Sequence, residues 1–200
     1  MFKTHSRIIL LTLSIFLLFG CAGKVERMGA DEVKDLSGKW NDTDSRLVSE
    51  EMVRDVLNRP WLTRFETKQG RPPAVIIGKV RNKSHEHINV ATFVNDIEGE
   101  LINSGVVDFV ASRDERNEIR EERKDMDVNA SEDSRKEMGE EMGADFMLKG
   151  TFSTILDTDG KQQVRFYQID LNLINLANNR KVWQGQKKIK KFVSKASARR

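Results

Sequence analysis

Few residues in this chain have the types and spacing for chemistry. His85 and His87 flank Glu86 in the run HEH, and in a strand both rings would share one face and could meet one metal ion. A metal site takes three or four ligands, and no cysteine or second histidine cluster completes this pair, so a solvated loop is the expected reading. Asp96 and Glu100, four apart in VNDIEGELINS, could pair as acid and base on a helix. No histidine, metal set or oxyanion donor stands with them, which leaves an exposed helix face. Serines and aspartates are common, but no G-x-S-x-G elbow accompanies them, and no GxxxxGK[ST] or GxGxxG phosphate loop occurs. The expectation is therefore no catalytic residue, no metal, no cofactor and no small-molecule substrate: a protein that binds rather than reacts.

The stretch 37–46, SGKWNDTDSR, puts four short polar residues behind a tryptophan, which suits neither helix nor strand. Two readings stay open. Asp42, Thr43, Asp44 and Ser45 can bond nearby amides as turn and N-cap. Alternatively, a surface loop presents Trp40 to a partner, with Asn41, Asp42, Asp44 and Arg46 beside it, since aromatic residues anchor interfaces.

Cys21 is the chain's single cysteine. It follows an apolar run from Ile8 to Phe19, broken by Thr12 and Ser14 and preceded by Lys3 and Arg7. A membrane-spanning helix needs about 20 apolar residues. This shorter run, with positive charge before it and small residues after, has the build of a secretory signal peptide. Leu18-Phe19-Gly20-Cys21 resembles a lipobox, in which the cysteine is lipidated and becomes the first mature residue, although Phe19 is bulkier than the usual residue there. The expected organisation is a signal peptide over 1–20, a short tether over 21–36, one globular domain over 37–192 and a basic tail over 193–200.

Removing 1–20 takes away two basic residues and leaves 32 Lys and Arg against 31 Asp and Glu. Nucleic-acid binders normally carry a clear basic excess, so none is expected as a partner. The last fourteen residues nevertheless hold seven basic residues and no acid. With Cys21 anchoring the chain, no thiol remains for a disulfide.

The elements follow from periodicity. Leu47, Val48, Met52, Val53, Val56 and Leu57 give a helix over 45–58 that Pro60 stops. Residues 71–73 lead into a buried strand, 74–80. A helix over 88–103 ends at Gly105, and 106–110 is a second strand. Ser112 with Glu115, and Ser134 with Glu137, have capping-box spacing, the latter before a short helix ending at Gly143. Strands over 145–156, 163–176 and 181–189 are joined by turn residues and read as a meander. The predicted fold is α/β: a mixed sheet flanked by helices and ending in three meander strands.

Five segments carry a resemblance: DLSGKWNDTDSRLVSEEM (35–52), RPW (59–61), VRNKSHEHINVATFVNDIE (80–98), GADFMLKGTF (143–152) and VWQGQKKIKK (182–191). In this order they resemble the penicillin-binding-protein activators of the LpoB family. The resemblance implies a fold like the N-terminal domain of TolB. It implies a lipid-anchored protein on the periplasmic side of the outer membrane, in keeping with Ala22 after the cysteine, which binds and activates a bifunctional peptidoglycan synthase. No catalytic residue comes with it. The tether departs from the best-studied members, whose linkers are long. About fifteen residues reach ~50 Å fully extended and typically span ~20–25 Å. A structural or assembly lipoprotein of the same fold, docking on another envelope complex or on the wall, is the alternative.

Overall fold

The computed structural model describes residues 25–30, 32–131 and 140–194. The chain divides into two units, Met1–Glu32 and Val33–Arg200. In the first, a single turn is closed by the Glu32 amide donating to the Gly29 carbonyl. The second holds every helix and strand described here.

Helix α1, Asp42–Leu57, is capped by Asn41 in a reciprocal box: the Asp44 amide donates to the Asn41 side chain and the Asn41 amide to the Asp44 carboxylate. That box starts the helix three residues before the expected Ser45, so 42–46 are helical rather than loop. Helix α2, Pro60–Gln69, was not expected. Pro60 does not merely end the preceding helix; it occupies the first turn of the next, where a missing amide costs nothing and its fixed φ is already helical. Gly70 ends α2 in the left-handed region. Strand β1, Ala74–Asn82, and helix α3, Val90–Ser104, follow as expected, with Asn89 as N-cap and Gly105 as C-cap. The second strand shrinks to Asp108–Phe109, β2.

Helix α4, Arg113–Asn129, opens on the expected Ser112–Glu115 box and buries none of its residues. The Ser134–Glu137 box lies outside the described residues, and residues 140–143 are not helical. Strands β3, Phe146–Asp159, β4, Gln162–Asn175, and β5, Lys181–Ser194, are each 14 residues long. β5 runs five residues past its expected end. Gly160, with φ 54°, opens the two-residue link between β3 and β4.

The sheet order is β2-β1-β3-β4-β5. β1 is parallel to β2 and β3, while β3–β4 and β4–β5 are antiparallel. This is the mixed α/β sheet with a terminal meander that the pattern predicted. One face is covered. Val48, Met52, Val53 and Val56 of α1 and Phe93, Ile97 and Leu101 of α3 pack on Phe152, Tyr167, Ile169, Leu171, Leu173 and Trp183. Each fully buried side chain of this size contributes roughly 1.5–3 kcal/mol. Trp61 and Phe65 of α2 meet Phe146 edge-on at the near end of β3. α1 comes close to β5 at Gly185, where a Cβ would collide with the Trp183 ring and Met52. The opposite face carries a small cluster, Ala74, Ile76 and Val110 with Met147, near the start of β1.

Candidate functional site

The polar residues before α1 are organised by one lysine. Lys191, on the covered face near the end of β5, donates to Asp44 at 2.6 Å, to Asp35 at 2.9 Å and to the Lys39 carbonyl at 3.3 Å. Burial works against its ammonium, but the hydrogen bonds and charges of Asp44 and Asp35 outweigh it and hold its pKa above the ordinary lysine value. The Asn41 amide group also donates to Asp35. Residues 35–41 thereby form a strap across β4 and β5. Gly38 makes this possible: its φ is +64°, and a side chain there would strike Val193.

Trp40 lies half-buried beneath the strap. Its ring meets Phe152 at 5.0 Å and Phe93 at 6.5 Å, both edge-on, and Tyr167 at 5.7 Å. Of the five residues read as partner-binding, then, Trp40 packs on the core, Asn41 caps and Asp44 takes Lys191. Arg46 bonds Glu50 at 3.1 Å. Asp42 alone of the five is exposed. Of Asp42, Thr43, Asp44 and Ser45, read as bonding nearby amides, Asp44 takes the Asn41 amide while Asn41 is the cap and Ser45 donates to Asp96; Cys21 lies outside the described residues.

Next to Trp40 is a pocket of about 370 Å³, lined on one side by His85, Glu86 and His87 and on the other by Leu156, Arg165 and Tyr167. Glu86 is fully engaged: Tyr167 donates to its carboxylate at 2.9 Å, and Arg165 pairs with it. Burial first, then the bond to Glu86, pushes the Tyr167 phenol up to about 12. Sequence reasoning missed this Glu86–Arg165–Tyr167 cluster because its members lie 79 and 81 residues apart. The His85 ring nitrogen contacts Thr154 Oγ1 at 3.4 Å. Among the described residues no group of three His, Cys, Asp or Glu could hold a metal.

Asp96 and Glu100 do not form an acid–base pair. Asp96 accepts from Ser45 Oγ at 2.7 Å and so ties α3 to α1. Two further links were not legible. Asp55 accepts from Trp183 Nε1 at 2.7 Å, and Asp145 takes Arg71 through two bonds of 2.8 Å and also the Ala74 amide.

At the far end of the sheet, past the helices, the uncovered face changes character. Ile155 and Phe192 are 65% and 64% exposed there, beside the partly exposed Val164 and Phe166. The basic run from Lys187 to Arg200 marks this end of the chain in the sequence, and the alternation KIKKFVS is the signal for its outward apolar side chains.

Comparisons with known proteins bear on the whole domain. Among curated proteins no sequence matches. The C-terminal domain of LpoB from Escherichia coli is similar at 13% identity and TM-score 0.45, over 73% of this chain and 98% of that one. The lipoprotein GNA1162 from Neisseria meningitidis is similar at 11% identity and TM-score 0.40, over 64% and 88%. The LpoB C-terminal domain from Salmonella enterica is similar at 12% identity and TM-score 0.35, over 65% and 93%. The family model for the peptidoglycan-synthase activator LpoB matches residues 44–189, from the first turn of α1 into β5. With that match spanning most of its length, the chain belongs to the LpoB family.

Proposed function

We propose that this protein is a non-enzymatic envelope lipoprotein, held through Cys21 on the periplasmic side of the outer membrane, that binds a bifunctional (class A) penicillin-binding protein and raises its activity. The observation that carries the reading is the family match over residues 44–189. Of the side chains weighed for chemistry, Asp96 is engaged with Ser45 and Glu86 with Tyr167 and Arg165. Asp42, at the start of α1, is the one exposed residue of the five read as partner-binding. Addition of the purified protein to a class A synthase from the same bacterium should speed glycan polymerisation and cross-linking. Unchanged rates with every such synthase would sink the proposal.

The strap favours a second reading, an assembly lipoprotein acting close to its own membrane. With Asp35 already bound to Lys191, roughly fourteen residues separate it from Cys21, a reach of ~50 Å at most. Crosslinking in envelopes followed by mass spectrometry distinguishes the two: a captured synthase supports activation, and an unrelated envelope complex supports assembly.

A further inference from the structure

We infer that the uncovered face of β3–β5, at the end of the sheet away from the helices, is a docking surface for an anionic lipid bilayer. Strand register places the residues. Ile155, Phe166 and Lys190 stand in one cross-strand row, Asp157, Val164 and Phe192 in the next, and Ser153, Gln168 and Lys188 in the row before. Successive side chains of a strand alternate between faces, so all of these lie opposite the buried Phe152, Tyr167 and Ile169. The first two of these rows therefore hold an apolar patch, Ile155, Val164, Phe166 and Phe192, edged by Lys188, Lys190 and Asp157, before the polar end row of Asp159, Gln162 and Ser194.

Two observations identify the occupant. First, Lys187 and Lys191 on the covered face bind Glu51 and Asp44, whereas Lys188 and Lys190 have no carboxylate partner among the described residues. Along this face Arg81, Lys149, Lys188 and Lys190 stand against Asp157, Asp159 and Asp170. The sequence then continues past Ser194 with Lys195, Arg199 and Arg200 and no acid. Second, Val164, Phe166 and Phe192 stand out from a sheet surface, and only Ile155 also edges the pocket beside Trp40. Exposed aromatic and aliphatic groups with cations at their edge match a headgroup region, where apolar side chains enter the acyl boundary and lysine stems carry their charge back to the phosphates. A second copy of the chain fits worse, since pairing two such faces sets lysine against lysine. The inference is independent of the synthase reading.

The test uses the Val33–Arg200 unit, whose core lies wholly within it, so that no lipid anchor contributes. Sedimentation with vesicles of phosphatidylglycerol and phosphatidylethanolamine is compared with vesicles of phosphatidylcholine alone. The unit should bind the anionic vesicles, release them as salt rises and ignore the neutral ones. Lys188→Gln with Lys190→Gln should lower binding about 30-fold at low salt, on the scale of ~1 kcal/mol per lysine. Phe192→Ser should weaken it as well, and both variants should melt like wild type. Absence of wild-type binding to anionic vesicles overturns the inference. So does a double-lysine variant that binds normally, or binding that disappears only when residues 195–200 are removed. Should Phe192→Ser impair synthase stimulation while vesicle binding is absent, the face is a protein interface and the lipid assignment falls.

Discussion

The two faces of the β3–β5 sheet share the same strands yet obey different rules. On the covered face, the buried side chains from Leu148 to Trp183 that pack with α1 and α3 are hydrophobic, and the polar ends of Tyr167 and Trp183 are hydrogen-bonded to Glu86 and Asp55, because any unpaired polar group there would be stranded away from water. On the other face, Thr151, Gln168, Asp170 and Gln186 form a hydrophilic middle, with Gln168 and Gln186 both donating to Asp170 at 2.8 and 2.7 Å. Charge separates the faces as well. Lysines of β5 that point to the covered side are held by carboxylates, and those that point outward are not. One face therefore measures stability, and the other is left for contact.

Substitutions test that division, and the largest effect should come from the covered face. Phe152→Ala removes a ring that touches both Trp40 and Phe93, and should cost ~3–5 kcal/mol in a denaturant titration. A cost under ~1 kcal/mol would mean that the strap and α3 close over the gap. Lys191→Met should cost ~3 kcal/mol by leaving Asp44 buried without its partner, and adding Asp44→Asn should recover much of the loss. Failure of that rescue would show that the lysine serves the Asp35 contact more than the Asp44 one.

Gly185→Ala should cost ~1–3 kcal/mol through overpacking against Trp183. Tyr167 sharpens the comparison by pH, since it is the chain's only tyrosine and its ultraviolet titration is unambiguous. Its raised value means that the fold favours the neutral phenol. The associated stability is complete below the unfolded value near 10 and is lost as pH climbs through about 12. Ionisation near pH 10 in the folded protein would show that Glu86 and burial do not act as described. The smallest effect belongs to the outer face: Phe192→Ser should leave the thermal midpoint almost unmoved, within ~0.5 kcal/mol.

How much of this was legible in the sequence depends on the range of each signal. Strands β3 to β5 and helices α1 and α3 declare themselves by spacing alone, since their buried positions recur every two or every three to four residues. Helix α2 was missed because Pro60 was taken as an end signal, when a proline at a first helical turn is equally a start signal. β5 outran its expected limit because its lysines look like a solvated tail. Only the register with β4 shows that they alternate between Glu51 and Asp44 on one side and open space on the other. The strap was not legible at all. Asp35 and Lys191 are 156 residues apart, and no local pattern announces a contact over that distance. The same holds for Glu86 with Tyr167. Trp40 could be singled out from its neighbours, but its role could not be read from them, because an aromatic residue before a cap is equally at home in a core and at an interface.

The strap has a mechanical consequence. A pull arriving from the N-terminal side reaches the domain at Asp35 and is borne first by the Lys191 ion pairs and the Trp40 contacts, before α1 is loaded. Releasing residues 35–41 adds ~25 Å of extension at ~3.3–3.6 Å per residue. The strap is thus a yield point in series with the domain: under low load it stays seated on the sheet, and under higher load it supplies slack while α1 and the sheet stay intact. A force–extension trace should show that short step below the main unfolding event.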